Sequence, residues 1–132
     1  MTQYRIDLAA LMLRIGLGAM YLAHGLTKLL IFTPAGTASY FESLGIPGII
    51  GYLTIIFEIG GGLFLLLGIL TQLIALLAVI QMIVISFIHS PNGFSFSNTG
   101  GGWEYPAFMA LTALALLLLG GGRFSVLRLA KK

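Results

Sequence analysis

Apolar residues in this chain come in four long runs, at about Asp7–Ile31, Pro47–Leu70, Gln72–His89 and Glu104–Gly122. A hydrocarbon core about 30 Å thick is crossed by roughly 20 mostly apolar helical residues, so each run predicts one membrane span. The punctuation agrees. Pro47 and Pro106 stand where a helix-initiating proline belongs, Thr71 is placed to cap the third helix, and Gly120-Gly121-Gly122 ends the fourth. Tyr21, Tyr40, Tyr52, Trp103 and Tyr105 fall mostly near span ends, as interfacial aromatics do. The reading is an all-α integral membrane four-helix bundle, a single domain over residues 1–132.

The connections differ in kind. "GILTQ" forces a tight antiparallel hairpin between the second and third spans. "FTPAGTASYFESLGI" and "SPNGFSFSNTGGG" are long, rich in small and polar residues, and able to fold back over the bundle or to stay loose in solvent. Neither long loop contains lysine or arginine, and Lys28 sits only at the edge of the first. Arg5 precedes the first span, and Arg123, Arg128, Lys131 and Lys132 follow the last. The positive-inside rule then predicts both termini in the cytoplasm, as an even number of spans requires.

Composition sharpens this. The chain is 58% hydrophobic and 8% charged, against roughly 25% charged residues in soluble domains, which leaves too little polar surface for a soluble globule. A formal charge of +3 is too small and too clustered to suggest nucleic acid as a partner; the partner that composition implies is the lipid bilayer. The absence of cysteine excludes disulfides, thiolate chemistry, iron–sulfur clusters and cysteine-ligated zinc in this chain. Arg14 interrupts what would be a signal-peptide apolar region and no small-x-small site follows, so the first span reads as a retained anchor.

Chemistry is expected where polar residues sit in the wrong solvent. A charge at the centre of a membrane helix costs about 2.5–3.5 kcal/mol on insertion scales, so Arg14, His24, Lys28, Glu58, Gln81, His89 and Glu104 each need a reason. Helical rise puts Arg14, Glu58 and Gln81 in an inner layer and the other four near the outer end. Arg14, Tyr21, His24 and Lys28 share an arc of about 80° that should face the bundle interior. Glu58 shares a face with Thr54, Gly61 and Gly62, whose glycines invite a close backbone. Arg14 and Glu58 are expected to form a structural ion pair. Simpler readings stand beside these: Lys28 snorkels to the interface, Glu104 caps a helix, and His89 merely ends one. Two histidines without local ligand spacing do not suggest a metal or haem site.

Arg14 with the following "GLG", "AHGLTKL", "LGIPG", "FEIGGGLFLLLGILT", His89, the Trp103-Glu104-Tyr105-Pro106 start and "GGGRFS" together resemble the DoxX family of small four-helix bacterial membrane proteins, from about Leu13 to Ser125. The family's "GRxSLD" ending reads "GRFSVL" here, without the aspartate. The resemblance implies a multi-pass protein of the bacterial inner membrane. It is similar to the membrane subunit of a thiosulfate:quinone oxidoreductase and to proteins of quinone detoxification and oxidative stress. It carries the polar set over to Arg14, His24, Lys28, Glu58, His89 and Glu104.

The expectation is a pocket near the outer face, with His24, Lys28, Glu58, His89 and Glu104 binding a quinone or similar small molecule. A quinone needs an apolar slot and a donor at each carbonyl, and a histidine–carboxylate pair can move its protons. No catalytic residue is assigned. With no flavin or nicotinamide signature, electrons would come from a bound cofactor or a partner redox protein. The alternatives are a transporter of a small molecule or ion, working most easily as a homodimer with Glu58 protonatable, and a non-catalytic assembly subunit.

Overall fold

The computed structural model describes residues 2–129, which are helical or loop, with no strand among them. Lys131 and Lys132, counted in the orientation argument, lie outside the described residues. The elements are α1 (Gln3–Leu30), α2 (Pro34–Ser43), α3 (Gly48–Leu67), α4 (Thr71–His89, followed by a 3₁₀ turn at Ser90–Asn92), α5 (Glu104–Leu119) and the short α6 (Val126–Leu129). Three of them, α1, α3 and α4 with its 3₁₀ turn, are long and apolar enough to cross a membrane; α5, with 16 residues, is shorter.

The first long loop is where the sequence reading falls short, because it contains α2. Thr33 accepts a hydrogen bond from the Gly36 N–H (3.2 Å) and Pro34 fills the first turn, the usual start of a helix. This helix folds back onto α3, with Thr37 and Ala38 buried against Gly51. The third expected span, α4, also starts differently than expected. Leu70 is its N-cap residue, held at φ 48°, while Thr71 lies inside the helix and caps nothing. The "GILTQ" hairpin is as tight as expected, since Gly68 closes α3 at φ 75° and the Ile69 N–H reaches back to the Phe64 carbonyl at 2.8 Å.

The helices pack mainly in two pairs, α1 with α3 and α4 with α5, and α1 also meets α5. The α1–α3 contact is backbone on backbone. A Cβ placed on Gly62 would lie 2.8 Å from the Leu22 nitrogen and 2.9 Å from the Gly18 carbonyl oxygen, and one on Gly25 would lie 2.9 Å from the Ile59 nitrogen. Close approach through small residues is how helices associate where lipid removes the hydrophobic drive. These contacts also fix the register: the helices run antiparallel, with Gly18 against Gly62 and Gly25 against Glu58 and Ile59. Between the pairs lies one apolar core built from Leu17, Tyr21, Leu65, Ile74, Ala75, Ala78, Met82, Met109, Ala113 and Leu116. Tyr21 therefore belongs to the core and not to an interface. Large apolar side chains such as Ile56, Phe87 and Leu118 face outward, which suits lipid as solvent.

The glycines of "EIGGG" are not equivalent, and this is testable. A Cβ on Gly60 would meet nothing within 4 Å. Gly62→Ala should lower stability in detergent by about 1–3 kcal/mol, because backbone cannot yield as a side-chain tip can. Gly60→Ala should be neutral or gain up to about 1 kcal/mol from helix propensity. Thermal or denaturant unfolding of the two variants checks the contrast.

Candidate functional site

Two polar centres occupy opposite ends of the α1–α3 seam. At the end nearer the chain termini, Arg14 is 1% exposed and spends its guanidinium on carbonyls. Its Nε donates to Leu65 O (2.9 Å), one terminal nitrogen to Leu66 O (2.9 Å) and the other to Gly121 O (2.8 Å). The last carbonyls of α3 have no intrahelical partner, and a cation suits the negative end of a helix. Arg14 is thus a C-terminal cap supplied from a neighbouring helix, and it ties the Gly120–Gly122 segment to α3. Asp7, one of the buried polar residues, does a matching job: its Oδ1 accepts from the Arg123 N–H at 3.1 Å and from Gln3 at 3.3 Å.

The expected Arg14–Glu58 ion pair does not form. The antiparallel register sets Arg14 opposite Leu65 and Leu66, about 10 Å along α3 from Glu58 at 1.5 Å per residue. Glu58 lies opposite Gly25 and pairs with Lys28 instead, Nζ to Oε2 at 2.8 Å. The carboxylate is buried to 3% exposure, while the Lys28 side chain keeps 21%. Lys28 therefore does not simply snorkel outward.

Gln81 of α4 adds to this pair, and further polar groups lie on α1 and α5. Gln81 Nε2 donates to Glu58 Oε1 at 3.1 Å, which leaves Gln81 Oε1 buried and without a partner. The Tyr105 hydroxyl is likewise buried and unpartnered. Its ring packs edge-on against His24, with centroids 5.8 Å apart, and against Phe96 at 5.9 Å. Tyr21 stands between α1 and α4, its hydroxyl 3.5 Å from the Ala78 carbonyl.

Of the five expected ligand-binding residues, Lys28 and Glu58 meet directly, and His24 packs against Tyr105. His89 and Glu104 do other work. His89 Nδ1 lies 2.9 Å from Gly101 O, and Glu104 Oε1 accepts from the Phe96 N–H at 2.9 Å. Both brace the connection between α4 and α5, which also pairs Trp103 N with Gly93 O and Glu104 N with Phe94 O. No described contact joins them to His24 or Lys28. Tyr105 is the residue sequence reasoning placed elsewhere, at an interface. Its position one residue after Glu104 was visible, but nothing in the sequence says which way its ring turns.

The new pairing predicts a pattern of couplings. Lys28→Met should cost about 2 kcal/mol or more by stranding the buried carboxylate, and Glu58→Gln should cost less, because Lys28 can move its ammonium toward solvent. The double variant should recover part of the sum, whereas Arg14→Met and Glu58→Gln should add to within roughly 0.5 kcal/mol. Unfolding measurements on the two double-mutant cycles would separate the pairings, and strong Arg14–Glu58 coupling would overturn this one.

Comparison with known proteins places the chain. It is 30% identical over 128 residues to the inner membrane protein YqjF of Escherichia coli (strain K12), covering 96% of this chain and 95% of that one. It is 28% identical over 122 residues to a Bacillus subtilis (strain 168) protein that carries the name "Putative oxidoreductase CatD", covering 92% of this chain and 85% of that one. No solved structure matches significantly. The DoxX family model matches residues 9–91, which takes in Arg14, Lys28, Glu58 and Gln81 and stops short of α5. With its long apolar helices, the chain is a multi-pass protein of the bacterial inner membrane, and it belongs to the DoxX family.

Proposed function

We propose that the chain crosses the inner membrane four times, with both termini cytoplasmic, and binds the head of a quinone or similar lipid-soluble small molecule at the Glu58 centre. The observation that carries the binding is two buried, unpartnered polar atoms: Gln81 Oε1, on the amide bonded to Glu58, and the hydroxyl of Tyr105, whose ring packs against His24. Buried polar groups normally have partners, and each exception calls for one. The Tyr105 hydroxyl suits a carbonyl acceptor. Gln81 Oε1, with its amide nitrogen committed to Glu58, accepts only and suits a hydroxyl donor. A quinone and its reduced form offer those two groups, and a carboxylate–ammonium pair is suited to taking up and returning their protons. His24 and Lys28 complete the polar wall. Glu104 and His89 brace the connection between α4 and α5. The sequence has no cysteine and no flavin or nicotinamide signature, so a redox role calls for a partner redox protein or a bound cofactor; the name of the Bacillus subtilis relative agrees with that setting.

Two observations support the topology. The Asp7–Arg123 contact holds the two chain ends at one end of the molecule, as an even number of spans requires. Trp103 stands just before the start of α5, partly exposed, where an interfacial aromatic belongs. Since the chain has no cysteine, single reporters are unambiguous. Cysteines at Ser39 and Ser97 should react with a membrane-impermeant thiol reagent in intact spheroplasts, and one at Thr2 should react only after permeabilisation. The opposite pattern would invert the orientation.

The binding is tested most cleanly at Tyr105. Tyr105→Phe keeps the ring against His24 and Phe96 and removes only the hydroxyl. It should weaken binding of a short-chain ubiquinone or menaquinone analogue about tenfold, the scale of one lost hydrogen bond. The ligand-free protein should be no less stable, since an orphaned hydroxyl is gone. Absence of saturable binding to the wild type would remove the quinone reading.

A further inference from the structure

Where the start of α1 meets the segment after α5, the chain presents a basic and aromatic surface that is independent of the Glu58 centre. The Arg123 guanidinium carbon stands 5.5 Å from the centre of the Phe124 ring and 5.9 Å from that of the Tyr4 ring. Tyr4, in the first turn of α1, packs edge-on against Phe124 with centroids 6.4 Å apart. We propose that Arg123, held by these two rings, binds the phosphate of an anionic phospholipid headgroup, with Arg5 adding to the attraction.

Three observations converge on that partner. The first is that the cation is positioned. The Arg123 backbone N–H donates to the buried Asp7 Oδ1 at 3.1 Å, and the two rings constrain the side chain. A side chain ordered in advance loses less freedom on binding. A guanidinium over aromatic faces keeps its charge and its in-plane N–H donors, and that fork matches the oxygens of a phosphate. The second is uncompensated charge. Among the described residues the one salt bridge is Lys28–Glu58, so neither Arg5 nor Arg123 is paired with a carboxylate. Asp7 is buried to 3% exposure, with Oδ1 committed to the Arg123 N–H and to Gln3. The other three acidic residues, Glu42, Glu58 and Glu104, belong to α2, α3 and the start of α5, while the sequence beyond Arg123 adds Arg128, Lys131 and Lys132. The third is depth. Arg123 follows closely on the end of α5 at Leu119, and Tyr4 and Arg5 lie at the start of the first long apolar helix. Tyr4, Val126 and Leu127 are exposed there, which places apolar and amphipathic surface beside the cations at the level of the headgroups. A phospholipid meets both demands, its phosphate at the arginines and its glycerol and chains at the exposed apolar side chains. A soluble acidic partner or a free phosphate meets only the first.

The test is lipid titration followed by native mass spectrometry on delipidated full-length protein released from detergent. Wild-type protein should bind phosphatidylglycerol more tightly than phosphatidylcholine. Arg123→Gln keeps the backbone contact with Asp7 and should raise the dissociation constant of the first phosphatidylglycerol about fivefold, the scale of one basic residue at a membrane surface. Tyr4→Leu leaves every charge in place and should still raise it about twofold or more, because the ring that holds the guanidinium is gone. That variant separates a built site from loose attraction to net charge, which would respond to Arg123→Gln and Arg5→Gln alike and ignore Tyr4→Leu. Equal affinity for the two lipids, or an unchanged dissociation constant in either Arg123→Gln or Tyr4→Leu, overturns the proposal. Displacement of phosphatidylglycerol by sodium phosphate beyond the effect of sodium chloride at the same ionic strength would assign the site to the free ion and overturn it as well. Tyr105→Phe should leave the titration untouched.

Discussion

The constraint on which the structure depends is that the hydrocarbon interior has no water to satisfy a polar group, so every polar atom at depth must find its partner within the protein. The α1–α3 seam answers this. Gly18, Gly25 and Gly62 bring the two backbones within reach of each other, and that closeness lets side chains on α1 address specific atoms on α3. Arg14 reaches the Leu65 and Leu66 carbonyls at the end of α3, and Lys28 reaches the one carboxylate α3 carries. A seam one or two ångströms wider would leave both cations short. The glycine contacts and the polar contacts are therefore one design. Loss of the first is expected to disable the second.

This explains which parts were legible in the sequence. Apolar runs gave three helices that can cross a membrane and the position of α5, because length and composition settle those without tertiary information. The cost of burying charge picked out Arg14, Lys28 and Glu58, and the angular argument placed Arg14 and Tyr21 correctly on the inward face. Partner choice was not legible. Depth along the normal gives one coordinate per residue, and the pairing depended on antiparallel register and on helix-end carbonyls, which no side-chain letter records. Reasoning from charges alone paired the two deepest ions, when one of them was satisfied by backbone.

The loops failed for a related reason. Thr33-Pro34 is a helix-start signal set in a loop rich in small polar residues, and burial of Thr37 and Ala38 against Gly51 holds α2 on α3. His89 and Glu104 were recognised as unusual, but each found a backbone partner in the connection that follows α4. A charged residue at a helix end has local backbone to satisfy as well as a shared pocket to join, and spacing cannot decide between them. Tyr105 and Gln81 gained importance for the opposite reason: both are buried with an atom left over.

The arrangement of the two centres also bears on what kind of function the molecule can have. Along α1, Leu17 and Tyr21 separate Arg14 from Lys28; along α3, Gly61, Gly62 and Leu65 follow Glu58 toward the Arg14 end. Ala75 and Ala78 of α4 and Ala113 and Leu116 of α5 close the same level, each fully buried. A transporter of ions or polar solutes needs polar groups or water continuously across that level, or a movement that opens it. Here the middle layer is apolar and small-residued, with α1 and α3 packed backbone to backbone, and opening that seam would break the glycine contacts on which both polar centres rely. A binding site approached from one end, for a ligand that is itself soluble in the membrane, makes no such demand. That packing supports the proposed binding of a lipid-soluble molecule beside Glu58 over passage of a polar one from side to side.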